Sequence, residues 1–501
     1  MKEVPENSDL LFVSNQGGNP VVDFKLALAR EVAGLAPSTR RRLAVLTEAQ
    51  AIRARASAPD LTVTSFEEHR DQNAGYDLAS ERERLLHDYP RTDWSLVLLS
   101  ERTFYDVSNL DGGAGERLVS QDYVERLLIE LVRFFESVLN GKPELVVAQT
   151  PDTLMTLVLY NVTRERGVPI RGLSPAWITP DRKPAWFLTE DEFLHSPAMR
   201  RADLSRSLRS LTVREIVRAD AFRKEILHFD ANAVYKSVTG QAFGRSALSP
   251  NIKSLISYLN TNMNRRPEVE YYKIDPVRKF LANAKRFFRK ILSSPMLGSR
   301  TVHVPERSVF FPLHFQPEAT TLVGGIYYAD QPALAEAVLK SLPLGWSLVV
   351  KEHPAGRGTR PTAHYRRLLR YPNVIFCDAP SKEILRHVDA VVTITGTIGI
   401  EALAMDRPVI MLGRWFWDDC PLVHQTNNVS ELSALFRQIL VDKAYASMPD
   451  REDQIRRFLL SYLDGLVPAG PRAESAPIYA KELLAEINRL RAEEKVGRVG
   501  T

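Results

Sequence analysis

Ala390-Val-Val-Thr-Ile-Thr-Gly-Thr-Ile-Gly-Ile-Glu-Ala-Leu-Ala-Met405, followed by Pro408-Val-Ile-Met-Leu412, decides the fold. An apolar run ends in a Gly/Thr turn, an amphipathic stretch follows from Ile398 to Met405, and a second apolar run begins at Pro408. That is the strand–turn–helix–strand rhythm of a parallel α/β unit. The same alternation extends upstream, with strands at Ser308 to Leu313, Ser347 to Lys351 and Val374 to Phe376. Helices fall between them at Pro332 to Leu342, Ala363 to Arg370 and Ser381 to His387, and another follows at Ser430 to Val441. Strands apolar on both faces predict a parallel sheet covered by helices on each side. Ligands of such sheets sit beyond the carboxyl ends of the strands, so the residues after each strand are the ones to read.

The first third repeats the rhythm less clearly. Leu10 to Ser14, Leu43 to Thr47, Trp94 to Leu99, Leu145 to Ala148 and Val168 to Arg171 read as strands, with helices near Phe24 to Val32 and Tyr123 to Leu139. Asp152 is placed to cap a helix that ends at Gly167. The fold class is therefore α/β with two Rossmann-type domains. A first Rossmann-like domain is expected over 8–185, a helical insertion or linker over 186–304, a second Rossmann-like domain over 305–485, and a charged tail over 486–501.

Composition narrows the function classes. The 501 residues are 44% hydrophobic and 25% charged, which suits a globular protein of two domains. Cys377 and Cys420 lie far from any histidine cluster, so neither a zinc site nor a disulfide framework is expected. A formal charge of +5 is too diffuse for a dedicated nucleic-acid binder. No secretory signal and no spanning segment is read, and a cytoplasmic location is expected.

Charge clusters once. Val277, Phe280, Leu281, Ala284, Phe287, Phe288, Ile291 and Leu292 form an apolar helical stripe bordered by Arg278, Lys279, Lys285, Arg286, Arg289 and Lys290. One reading is a helix packed on the protein with its basic face in solvent. The other is a foot on the inner membrane surface, where each cation near anionic lipid contributes about 1 kcal/mol.

Three strand-end segments carry the chemistry: Phe311-Pro-Leu-His-Phe-Gln-Pro-Glu318, Lys351-Glu-His-Pro-Ala-Gly-Arg357 and Thr395-Gly-Thr-Ile-Gly-Ile-Glu401. Gly396 and Gly399 allow close backbone approach, Thr395 and Thr397 offer hydroxyls, and the helix start presents amides to a phosphate. His353, fixed by Pro354, can donate one hydrogen bond from a neutral ring, with Lys351, Arg357 and Arg360 as nearby cations. Each has a plainer reading, as an N-cap or a structural histidine. Glu318 can orient a sugar hydroxyl or cap its own loop. In the first domain, Gly17 and Gly18 border the loop after the first strand. Glu101 and Asp152 are the candidates for base or nucleophile, with Arg102 as a charge partner; the alternatives are an ion pair and an N-cap. Glu190-Asp191-Glu192 reads as a solvated linker and not as a metal motif, so no metal and no cofactor are expected.

These segments resemble the capsule polysaccharide biosynthesis family that includes bacterial β-Kdo transferases. Gln316-Pro-Glu318, His353-Pro354 and Thr393 to Leu403 followed by Pro408 to Gly413 carry the resemblance, which is strong over 305–415 and only organisational before 190. It implies a GT-B fold, two Rossmann domains facing a cleft, with the donor nucleotide on the C-terminal one. It also implies a CMP-sugar donor such as CMP-Kdo, phosphate contacts from His353 and Thr395 to Thr397, and retention of configuration. The expected function is metal-independent transfer of a sugar to a lipid-linked or oligosaccharide acceptor, with a polysaccharide assembly complex as a further partner. A nucleotide-sugar epimerase, a glycerophosphotransferase and a non-catalytic scaffold are the competing readings.

Overall fold

The computed structural model describes residues 8–14, 19–101, 104, 119–228, 276–298 and 304–499. They fall into two compact units, one drawn from residues up to 98, 120–205 and 461 onward, the other from 99–119 and 206–460.

The first unit holds β1 (Asp9–Ser14), β2 (Arg40–Val45), β3 (Thr62–Ser65), β4 (Leu145–Gln149), β5 (Ile170–Pro175) and β6 (Trp186–Thr189). The spatial order is β6-β5-β4-β1-β2-β3, with the two-residue strand Leu466–Val467 outside β6. β1 to β5 pair in parallel, whereas β6 and Leu466–Val467 run antiparallel at the edge. Leu10 to Val13 are buried on both faces of β1, as a central parallel strand requires.

Two sequence expectations change in this unit. Trp94–Leu99 is a helix, with Trp94, Val97 and Leu98 buried at helical spacing. A six-residue apolar run suits strand and helix alike. The deciding group is Asp93, whose carboxylate accepts the Leu96 N–H at 3.1 Å as an N-cap does. The C-terminal stretch is the second change. Residues 461–501 belong with the first unit, so 461–485 are not part of the second domain and 486–501 are not a tail; the helix Ala476–Val499 is part of the first unit's core. Tyr479, Leu483 and Ile487 recur on one helical face and pack with Phe24, Leu28 and Leu10, Tyr479 meeting Phe24 edge-on at 5.4 Å. Glu486 of this helix pairs with Arg171 at 2.6 Å, both buried.

The second unit holds β7 (Ser308–Pro312), β8 (Ser347–Lys351), β9 (Val374–Phe376), β10 (Ala390–Thr393), β11 (Val409–Met411) and β12 (Val423–Gln425). All are parallel in the order β12-β11-β10-β7-β8-β9. Counted within the unit this is 6-5-4-1-2-3, the Rossmann order. Val309 to Phe311, Leu348 to Val350 and Ala390 to Val392 are buried throughout, matching the apolar runs read in the sequence. Strand order reverses between β7 and β10 here, and between β1 and β4 in the first unit. In open α/β sheets those reversals open the crevice in which ligands bind.

Candidate functional site

At the β7/β10 reversal the central group is His314, two residues past the end of β7. Its Nε2 lies 3.2 Å from Thr393 Oγ1 and accepts the Thr395 N–H at 3.4 Å. A ring nitrogen that accepts a backbone N–H is unprotonated, so the proton sits on Nδ1, which is buried beside the Pro312 backbone. Burial, then His353 and Arg360, push the His314 pKa down to about 3, and the ring is neutral at physiological pH. Its backbone is held tightly. The N–H donates to Gln331 Oε1 at 2.7 Å, and the carbonyl accepts from Gln331 Nε2 at 3.2 Å and from Arg360.

Arg360 is not an available cation. It is buried and donates to the Glu352 carboxylate, which also accepts the Tyr365 hydroxyl at 2.7 Å. This closed network beneath the β7 and β8 ends fixes the two turns that carry His314 and His353. His353 caps the short helical turn Pro354–Gly356, its Nδ1 accepting the Ala355 N–H at 3.1 Å, so Nε2 is the donor. Burial, then Arg360 and Lys351, push its pKa down to about 4. The Phe315 ring stands 6.0 Å from that of His353.

The third turn joins them. Gly396 N–H donates to Thr393 Oγ1 at 3.0 Å, and a Cβ on Gly396 would meet His314 Nε2 at 2.9 Å, so only glycine fits without displacement. Thr395 is fully buried and its hydroxyl donates inward, to the Thr320 carbonyl at 2.8 Å. Gly399 and Ile400 amides bond to the Gly396 and Thr397 carbonyls. Thr397 and Ile398 are thus the amides that the turn itself does not use. The expectation for Gly399 is corrected, because a Cβ there would strike the buried Trp417 indole at 2.1 Å. Gly399 makes room for a tryptophan and not for a ligand.

Gln316 is buried, its side chain donating to the Ala329 carbonyl at 2.9 Å, and it joins Pro317 through a cis peptide. Glu318 stands at the start of the helix Ala319–Leu322 without capping it through its side chain. Beside this cluster, at the ends of β8 and β9, Lys351 Nζ donates to Ser381 Oγ at 3.0 Å and Arg357 pairs with Asp378. Burial lowers the Lys351 pKa against the opposing pull of Asp378. Burial likewise raises the buried Glu401 carboxyl to about 7, with Lys382 and Lys351 opposing. The Gln316 to Glu318 turn, His353 and Thr395 to Thr397 therefore share one sheet rim. Arg357 and Arg360, expected as anion-binding cations, are each matched by an acid. His314 was not singled out, although its place just after the first strand of the unit was the signal.

The first unit's candidates are spread more widely. Gly17, Gly18 and Arg102 lie outside the described residues. Glu101 is buried, but it follows the helix Trp94–Leu99 and counts with the second unit, so it is not at a strand end of the first sheet. Asp152 does follow β4, yet the cap of the helix Leu154–Glu165 is Thr153, through a capping box with Thr156. Glu190, Asp191 and Glu192 are half-buried and paired with Arg200, His195 and Arg164, and line a cavity of about 510 Å³ near the start of β5. They are an ion-paired wall, not a solvated linker. The group missed here is Lys25. It is fully buried, donates to the Val147 and Ala148 carbonyls at 3.2 and 3.3 Å, and burial pushes its pKa down to about 7.

Comparison with known proteins covers the turns at His353 and Thr395 but not the one at 314–318. Residues 323–436 match the family model described as capsule polysaccharide biosynthesis protein. Over 87 residues the chain is 37% identical to the capsule polysaccharide export protein KpsS of Escherichia coli, a stretch that is 16% of this chain and 22% of that protein. The chain therefore spans under a quarter of the curated relative it matches. Among solved structures, KpsC of Thermosulfurimonas dismutans, a beta Kdo 2,7 transferase, aligns with 63% of this chain and 80% of its own at 15% identity and a TM-score of 0.32. UDP-GlcNAc 2-epimerase of Neisseria meningitidis, bound to UDP-GlcNAc, aligns with 95% of this chain and all of its own, at 11% identity and a TM-score of 0.25. Superpositions this loose carry no weight beside the strand orders above.

Proposed function

Because residues 323–436 carry the sequence pattern of the capsule polysaccharide biosynthesis family, we propose that the chain is a glycosyltransferase of surface polysaccharide synthesis. It takes a sugar from a nucleotide-activated donor, CMP-linked and with Kdo as the sugar, and passes it to a lipid-linked or oligosaccharide acceptor without a metal. One observation carries the reading. At the β7/β10 reversal the His314 imidazole, held neutral by burial, meets a Gly/Thr turn that has no room for a Cβ, and a second neutral imidazole, His353, follows the neighbouring strand β8.

Each element suits a nucleotide phosphate. His314 ties the turn after β7 to the Thr395 amide and fixes the rim on which a phosphate would sit. His353 Nε2–H and the amides of Thr397 and Ile398 add donors that are in place before the reaction. Lys351 supplies positive charge. Glu401 would repel a phosphate when ionised, so its role is with a donor hydroxyl. Glu318, Asp152 and Glu101 remain the acids from which a base or nucleophile would come.

Incubation of the full chain with CMP-Kdo, in chelator, with and without a delipidated capsule glycolipid acceptor, tests the proposal. CMP release that requires acceptor and survives chelator is expected. Conversion of a nucleotide sugar into its epimer with no acceptor present would overturn the transferase assignment.

A further inference from the structure

The helix Pro276–Ser293 is oriented against expectation. Two of its arginines turn to the protein: Arg286 donates to the Ala355 carbonyl, Arg289 to the Thr359 carbonyl at 3.3 Å, and Ser293 is buried. The backbone of Gly358, at φ +82°, comes so close that a Cβ there would stand 2.2 Å from the Arg286 carbonyl. On the opposite side, at 3.6 residues per turn, Phe287, Phe288, Ile291 and Leu292 are 38, 63, 55 and 62% exposed. Lys285 and Lys290 are exposed and border this apolar face on either flank.

We propose that this face docks on an anionic lipid surface, with the helix lying in the plane of the headgroups. No described helix is long and apolar enough to cross a membrane, and an apolar face rimmed by cations is the pattern of a helix that rests at the interface. Lys285 and Lys290 are the described cations at the border of this face, and residues 276–293 contain no acid. The cover must therefore be apolar at its centre and negative at its border. A second copy docked symmetrically would bring the same cations face to face. The chain preceding the helix, residues 229–275, holds six Lys or Arg against four Asp or Glu, a net charge of the same sign as the helix. Anionic lipid meets both requirements. The helix braces the stretch Ala355 to Thr359, directly after His353, so docking would set the lipid surface close to the candidate site. The docking itself does not rest on the transferase reading.

The test is co-sedimentation of the full chain with vesicles of phosphatidylcholine, with or without one third phosphatidylglycerol. Phe288→Glu/Ile291→Glu changes exposed positions only and should cut partitioning onto the anionic vesicles about tenfold or more. Lys285→Glu/Lys290→Glu should abolish the preference for anionic over neutral vesicles. Circular dichroism and thermal melting check that both variants stay folded. The proposal is overturned if the wild-type chain stays in the supernatant, or if Phe288→Glu/Ile291→Glu binds as the wild type does. It also falls if velocity sedimentation shows a dimer that this variant disperses, which would make the face a contact between copies.

Discussion

Both sheets reverse their strand order, and at each reversal one basic side chain reaches from the first strand's side to the fourth. In the first unit Lys25 extends from the helix after β1 to two carbonyls of β4. In the second His314 extends from just beyond β7 to Thr393 and the Thr395 amide beyond β10. Burial lowers the pKa of both. The outcomes differ because the groups differ. Lysine has only donors, and Lys25 gives two hydrogen bonds to strand carbonyls, so it ties the helix after β1 to β4. Histidine accepts on one nitrogen and donates on the other, so His314 can tie β7 to β10 and still keep an N–H. One topology therefore yields a structural stitch and a candidate ligand rim, and the choice of side chain decides which.

The contrast can be broken by substitution. Gly396→Val places atoms against His314 Nε2 and Thr393 Oγ1 and should remove CMP binding, a loss of at least about a hundredfold in Kd by calorimetry. Lys25→Met should leave that Kd unchanged, and an equal loss would erase the distinction between the two reversals. His353→Ala should weaken CMP binding about ten- to a hundredfold, the value of a hydrogen bond to a charged group.

Stability against pH sharpens the same comparison. Lys25 has a folded pKa near 7 against an ordinary value of 10.5. Between these values the unfolded chain binds the extra proton, so the wild type should gain stability as pH rises from 7 toward 10.5 and lose it on the way down. Lys25→Met should lack that slope and be the more stable protein at pH 7 by on the order of 2 kcal/mol in urea melts. Glu401 has the opposite sign, since its folded pKa is raised from 4.5 to about 7. Its contribution is full below pH 4.5 and is lost as pH rises through 7. Glu401→Gln should therefore match the wild type near pH 4.5 and exceed it at pH 8 by about 1–2 kcal/mol.

What could be read from residues alone was what depends on local pattern. The apolar runs from Val309 to Leu412 and the Gly/Thr turn at Thr395 specify strands and turns through their own periodicity, and they lie where expected. What could not be read depends on a partner distant in sequence. Gly399 looked like a ligand glycine until Trp417 filled the space beside it. Arg357 and Arg360 looked like open cations until Asp378 and Glu352 paired with them. The last helix looked like the end of the second domain followed by a tail from 486, because its apolar face, Tyr479 to Ile487, has meaning only beside Phe24 and Leu28. The helix at 276–293 showed its stripe but not its direction, which is set by Gly358 and two carbonyls. Trp94–Leu99 and the Thr153 cap were different, since Asp93 and the Thr153/Thr156 pair were visible and outweighed by the hydrophobic run and by Asp152.

The central claim is that the β7/β10 reversal receives a nucleotide. Hydrogen–deuterium exchange of the full chain with and without CMP tests it most directly. Slower exchange confined to the turns at 314–318, 353–357 and 395–399 is the predicted result. Protection at the β1/β4 reversal instead, or none anywhere at saturating CMP, would contradict it.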